Sequence, residues 1–142
     1  MRLLVSACLL GLPCRYDGAS KPCPAVEALA ERHELVPFCP EIYGGLPTPR
    51  PPAEICGERV INRAGVDVTA EYRRGADMAL MLCRVLSCQG AILKEKSPSC
   101  GLGAVYDGTF SGKLVPGNGI TAQKLLDAGI AVYHEKQTDS IR

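Results

Sequence analysis

Three short apolar runs in this chain each lead into a cysteine. Residues 2–7 (RLLVSA) run directly into Cys8, residues 35–38 (LVPF) run into Cys39, and residues 90–93 (GAIL) are followed within a few residues by Ser97-Pro98-Ser99-Cys100-Gly101. Runs of this length and composition form fully buried parallel strands. Between them lie helical patterns. Residues 24–32 (PAVEALAER) have helical spacing with Pro24 in the first turn. Residues 69–86 place Tyr72, Met78, Leu82 and Val85 roughly on one face of a long helix, with Thr69 as its cap. Asn118 is positioned to cap a last helix through Asp127, Gly129 to end it, and residues 130–133 (IAVY) to form a fourth strand. Strand and helix in alternation give a mostly parallel sheet covered by helices, with right-handed crossovers. Ligands of such sheets bind beyond the carboxyl ends of the strands. The pattern therefore predicts that Cys8, Cys39 and Cys100 meet at one sheet edge.

The chain has 142 residues, 46% of them apolar and 22% charged, which suits one globular domain over residues 1–142. The formal charge of +1 gives no broad footprint for a nucleic-acid backbone or an anionic membrane, so small-molecule partners are expected. Leu4-Val5-Ser6-Ala7-Cys8 imitates the cleavage box of a lipoprotein, but a signal segment needs about 7–15 apolar residues before it. No run reaches the roughly 18 apolar residues of a membrane helix. A cytoplasmic location is the expectation. There, eight cysteines point to metal, catalytic or redox chemistry rather than to disulfides.

Thiolates are soft ligands that select zinc, copper(I) or iron-sulfur clusters. Three of them would leave zinc a fourth position for water, or leave one iron of a four-iron cluster open. An open iron is a Lewis acid that would bind a thiocarbonyl sulfur and expose the attached carbon to water. Cys39-Pro40-Glu41 sets a carboxylate two residues after a thiol, making Glu41 the candidate general base. Ser97 and Ser99 bracket Pro98 beside Cys100, and either hydroxyl could bond a ring heteroatom or a cluster sulfide, Ser99 being the better placed. Arg50, in the stiff loop Leu46-Pro47-Thr48-Pro49-Arg50-Pro51-Pro52, is available for a polar substrate edge. Its Pro49-to-Pro52 PxxP match is better explained as a pocket wall than as a peptide ligand.

The other candidates carry less. Tyr-Asp-Gly occurs at Tyr16 and again at Tyr106, where Asp-Gly is first of all a turn pair; the alternative sets Tyr16 or Tyr106 against a ring substrate. Cys83 and Cys88 read as buried structural thiols, Cys56 as part of a flap, and Cys14 and Cys23 as loop residues that could approach the site. His33 and His134 have no ligand-like spacing. Residues 55–68 and 104–115 alternate around turn residues, as hairpins or flaps do.

Five ordered motifs resemble the thiouracil desulfidase family, formerly a domain of unknown function. They are Val5-Ser6-Ala7-Cys8-Leu9-Leu10-Gly11, Arg15-Tyr16-Asp17-Gly18, Cys39-Pro40-Glu41, Gly45-Leu46-Pro47-Thr48-Pro49-Arg50 and Ser97-Pro98-Ser99-Cys100-Gly101. The resemblance implies a Rossmann-like three-layer α/β domain with a 4Fe-4S cluster on Cys8, Cys39 and Cys100. It also implies Glu41 and Ser99 as catalytic residues, and non-redox replacement of the sulfur of a thiolated base or nucleoside by oxygen. The alternatives are a zinc-dependent nucleobase hydrolase, whose P-C-x-x-C turn is absent here because position 103 is Gly103, and a non-catalytic iron- or sulfur-binding module.

Overall fold

The computed structural model describes residues 1–141. Its centre is a four-stranded parallel sheet of β1 (Arg2–Ser6), β2 (Glu34–Phe38), β5 (Gly90–Leu93) and β8 (Ala131–His134), in the spatial order β2-β1-β5-β8. Two antiparallel hairpins stand outside it, β3 (Ala53–Cys56) with β4 (Arg59–Asn62) and β6 (Ala104–Tyr106) with β7 (Leu114–Pro116). The expected α/β architecture with a parallel sheet and flaps is found.

Side chains of a strand alternate between faces, and both faces of this sheet are buried. Leu4, Phe38, Ala91, Leu93 and Val132 face one core, closed by α3 (Thr69–Val85) and α4 (Ile120–Asp127). Leu3, Val5 and Ile92 face the other, closed by Leu9, Val26, Leu29 and Ile141. This double burial explains the near-continuous apolar runs. Among the described residues no helix is long and apolar enough to cross a membrane.

Several local readings are corrected. The helix expected over residues 24–32 divides into α1 (Pro24–Glu27) and a 3-10 turn, Ala28–Glu31. The long helix buries Tyr72, Gly75, Ala76, Ala79, Leu80 and Cys83, while Met78 and Leu82 are half-buried and Val85 is exposed. The packed face is the one made mostly of small residues, because small side chains let the helix approach its neighbours closely. Thr69 does not cap α3: its hydroxyl accepts the Val60 N–H at 2.8 Å, and Asp67 Oδ1 accepts the Thr69 N–H at 2.9 Å. Gly119 stands at the cap of α4, and Asn118 instead accepts the Gly103 N–H at 2.8 Å.

The order of the strands fixes where a ligand can sit. The chain leaves β1 for β2 on one side and later returns to place β5 on the other, so the crevice at their carboxyl ends is a topological switch point. Ser6 spans it, its Oγ accepting the Lys94 N–H at 2.9 Å.

Candidate active site

A cavity of about 730 Å³ opens at this switch point, and Cys8, Cys14, Cys39 and Cys100 all line it. Each thiol arrives by a different local device. Cys8 lies in a 3-10 turn, Ala7–Leu10, that follows β1 directly. Cys39 is the cap residue of a one-turn helix, α2 (Pro40–Tyr43), with Pro40 in its first turn. Cys100 is braced by Ser97, whose Oγ accepts the Cys100 N–H at 2.8 Å. The convergence expected of Cys8, Cys39 and Cys100 at one sheet edge therefore has a geometric counterpart.

Cys14 joins them, although its position in the chain gave only a hint. It is buried, its thiol meets those of Cys39 and Cys8, and its carbonyl accepts from Cys39 Sγ at 3.8 Å and from Arg50 Nη2 at 2.9 Å. The hydrogen bond with Cys39 pulls the Cys14 thiol down, but contact with Cys8 and burial outweigh it and push the group up to about 11. The Cys14 contact and then burial push Cys39 well up. Burial pushes Cys100 up to about 12, against hydrogen bonds from Ser6 at 3.4 Å and Ser99 at 3.5 Å. These thiols hold their protons at neutral pH until something replaces them.

Glu41 lies in the first turn of α2, and its carboxylate is held from three sides. Tyr72 donates to Oε1 at 2.6 Å, Arg50 Nε donates to Oε1 at 3.3 Å, and Ser99 Oγ donates to Oε2 at 3.0 Å. The Arg50 and Glu41 side chains are only 4% and 15% exposed, so water screens this pair little. Burial first, and then the Glu41 charge, keep the Tyr72 phenol protonated far above its ordinary range.

The remaining predicted residues separate by role. Arg50 borders the cavity with its donors turned inward, to Glu41, Cys14, the Pro47 carbonyl at 3.1 Å and Thr48 Oγ1 at 3.1 Å. It braces the wall that Glu41 and Cys14 share. Ser99 is fully buried and links Glu41 to the Cys100 loop, whereas Ser97 lines the cavity itself. Tyr16 and Tyr106 both line the cavity, Tyr16 at its exposed rim. Cys83, on α3, and Cys88 are buried in the core cluster that also holds Cys100 and do not line the cavity. Cys56 lies on β3, donating to the Gly108 carbonyl at 3.5 Å.

Within the network around Glu41 and Cys100, Tyr72 and Ser6 escape a reading of the sequence. Tyr72 reads only as part of a helix face, although its phenol is a polar tip that a buried Tyr must satisfy. Ser6 reads as the end of an apolar strand, yet its hydroxyl ties β1, β5 and Cys100 together.

A family model described as 2-thiouracil desulfurase matches residues 3–137. The chain belongs to the 2-thiouracil desulfurase family. It is similar to a solved structure described as a 4Fe-4S-dependent thiouracil desulfidase, TudS (DUF523Vcz), with 49% identity over 99% of this chain and 94% of that one and a TM-score of 0.93. It is also 40% identical over 149 residues to the uncharacterized protein YbbK of Bacillus subtilis (strain 168), covering 98% of this chain and 99% of that protein. The kinship read from the five motifs is borne out.

In this 2-thiouracil desulfurase family member Cys8, Cys39 and Cys100 give one cavity a set of soft thiol donors, which fits an iron-sulfur cluster. A tetrahedral zinc with bonds of about 2.3 Å gathers thiolates to about 3.8 Å from one another. Among the described residues, the only trio of potential ligand atoms within 4.8 Å of one another is Glu95, His134 and Glu135, outside the thiol wall. Among the described residues no three cavity thiols all lie within 4.8 Å of one another, although Cys14 meets both Cys39 and Cys8. The family match and the likeness to the 4Fe-4S-dependent TudS do not favour the zinc-hydrolase alternative.

Proposed function

We propose that this chain is a 4Fe-4S-dependent desulfidase that converts the thiocarbonyl of a thiolated nucleobase, nucleoside or nucleotide to a carbonyl. Water supplies the oxygen and sulfide leaves, so the reaction needs no electron donor or acceptor. Cys8, Cys39 and Cys100 would hold the cluster. When bound, the cluster supplies an iron with a vacant place that polarises the carbon-sulfur bond.

The chain's own residues do the rest. Glu41 takes the proton of the attacking water; Tyr72, Arg50 and Ser99 hold its carboxylate in one orientation so that it need not search for the substrate. Ser97, Tyr16 and Tyr106 border the space left for the base. Arg15, Lys21, Arg63 and Lys96 also line the cavity and form no ion pair among the described residues. Such a rim suits an anionic substituent on the base, and a cavity of about 730 Å³ has room for more than one pyrimidine ring.

The observation that carries this reading is the meeting of three strand-end thiols and an oriented carboxylate on one cavity wall. Anaerobic purification tests it. A brown protein with acid-labile sulfide that releases sulfide from 2-thiouracil, its nucleoside or its nucleoside monophosphate is expected, and Glu41→Gln should keep the colour while losing turnover. A colourless protein carrying stoichiometric zinc would overturn it.

A further inference from the structure

Three aromatic side chains at the cavity, Tyr16, Tyr106 and Phe110, have no part in the buried clusters, and Phe110 alone of them has a left-handed backbone. Phe110, in the loop between β6 and β7, belongs to none of the three buried clusters, is half-buried, and borders the cavity. Its backbone has φ of 56°, in the left-handed region that a bulky residue avoids. A strained residue persists only where its surroundings over-determine it.

Those surroundings are visible. Glu54 of β3 is buried, forms no ion pair among the described residues, and spends one carboxylate oxygen on the loop backbone: Oε1 accepts the Gly108 N–H at 3.0 Å and the Phe110 N–H at 3.1 Å. Gly108 sits so close to β3 that a Cβ there would meet the Ile55 carbonyl oxygen at 2.8 Å and Cys56 Sγ at 2.9 Å. Asp107 Oδ1 accepts both the N–H and the hydroxyl of Thr109, at 2.9 and 2.6 Å. The Arg63 guanidinium lies over the Phe110 ring, 5.4 Å from its centre. Every group in this assembly fixes where the ring stands, and the ring stands at the cavity.

We propose that Phe110 is a specificity-determining residue that packs against the flat heteroaromatic ring of the substrate, and that Glu54 is the positioning residue that holds it there. This rests on the desulfidase reading and names which wall recognises the base. It predicts selection for planar rings over non-planar thiocarbonyl compounds of similar size.

The test uses Phe110→Asn, because Asn tolerates a positive φ and so keeps the loop shape while removing the ring. Stacking between an aromatic side chain and a base is worth enough to raise KM for 2-thiouracil roughly 10- to 100-fold on its loss. The cluster-loaded variant should show that rise with a much smaller fall in kcat, and should bind the product uracil correspondingly less tightly in calorimetry. Glu54→Ala should reproduce the KM effect, and Glu54→Gln, whose side-chain carbonyl can accept the same two N–H groups, should recover most of it. Parent KM and parent uracil affinity in Phe110→Asn would overturn the proposal while leaving the desulfidase reading intact. A wild-type protein that carries its cluster but releases sulfide from no thiolated base, nucleoside or nucleotide would overturn both.

Discussion

Gly75→Ala should weaken both the fold and the activity, through a contact 2.0 Å wide. A Cβ at position 75 of α3 would stand 2.0 Å from the Pro40 carbonyl oxygen and 2.7 Å from its carbon. Real Cβ contacts stay above 3.0 Å, so α2 and α3 must separate by at least 1.0 Å here. The contact is reciprocal, since a Cβ on Gly44 would stand 2.0 Å from the Glu71 carbonyl oxygen. Two effects oppose each other. Ala is favoured over Gly in a free helix by about 1 kcal/mol, whereas forcing atoms into a packed interface costs about 1–3 kcal/mol. Backbone meets the new atom, and backbone cannot swing aside like the end of a side chain. The packing cost therefore wins, leaving a net loss of up to about 2 kcal/mol. Pro40 lies between Cys39 and Glu41, so the same shift moves the carboxylate relative to the thiols. A misplacement of about 1 Å at reacting groups can cost about 100-fold in rate. Urea denaturation and sulfide release by the cluster-loaded protein measure the two losses. Parent stability together with parent kcat would refute the claim that this glycine pair sets the position of Glu41.

Other outcomes follow from the same geometry. Tyr72→Phe keeps the ring in its pocket but removes the donor 2.6 Å from Glu41, a bond to a charged group worth about 1.5–3 kcal/mol. A fall in kcat of about tenfold or more with a changed pH profile is expected, and a parent profile would remove Tyr72 from the mechanism. Asp67 is drawn down to about 2 by the Thr69 hydroxyl, the Thr69 amide and Arg59, so it favours the fold above its ordinary 3.8, an advantage lost as pH falls toward 2. Thermal midpoints should thus fall more steeply between pH 4 and 2 in the parent than in Asp67→Asn, and parallel curves would contradict this. Cys8→Ser, Cys39→Ser and Cys100→Ser should each lose brown colour and sulfide release. Cys83→Ser, at a site only 1% exposed in the core, should lose stability but keep both, and a coloured, active Cys100→Ser would break the ligand assignment.

The sequence alone determined the parallel sheet, the placement of Cys8, Cys39 and Cys100 at strand ends, and the family. These are properties of local order: a strand buried on both faces needs an apolar run, and a loop thiol must follow it in the chain. Only tertiary structure decided the partners. Arg50 was open to substrate in the sequence and is committed to Glu41, Cys14 and its own loop in the fold. Tyr72 was one of several helix residues until α2 packed on α3 and brought Glu41 to its hydroxyl. Cys14 was a loop cysteine until Cys39 arrived from the next strand. Hydrogen-bond partners separated by 25, 31 or 36 positions leave no periodicity to read. They are selected by which surfaces close on one another, and that is a property of the packed chain rather than of any segment.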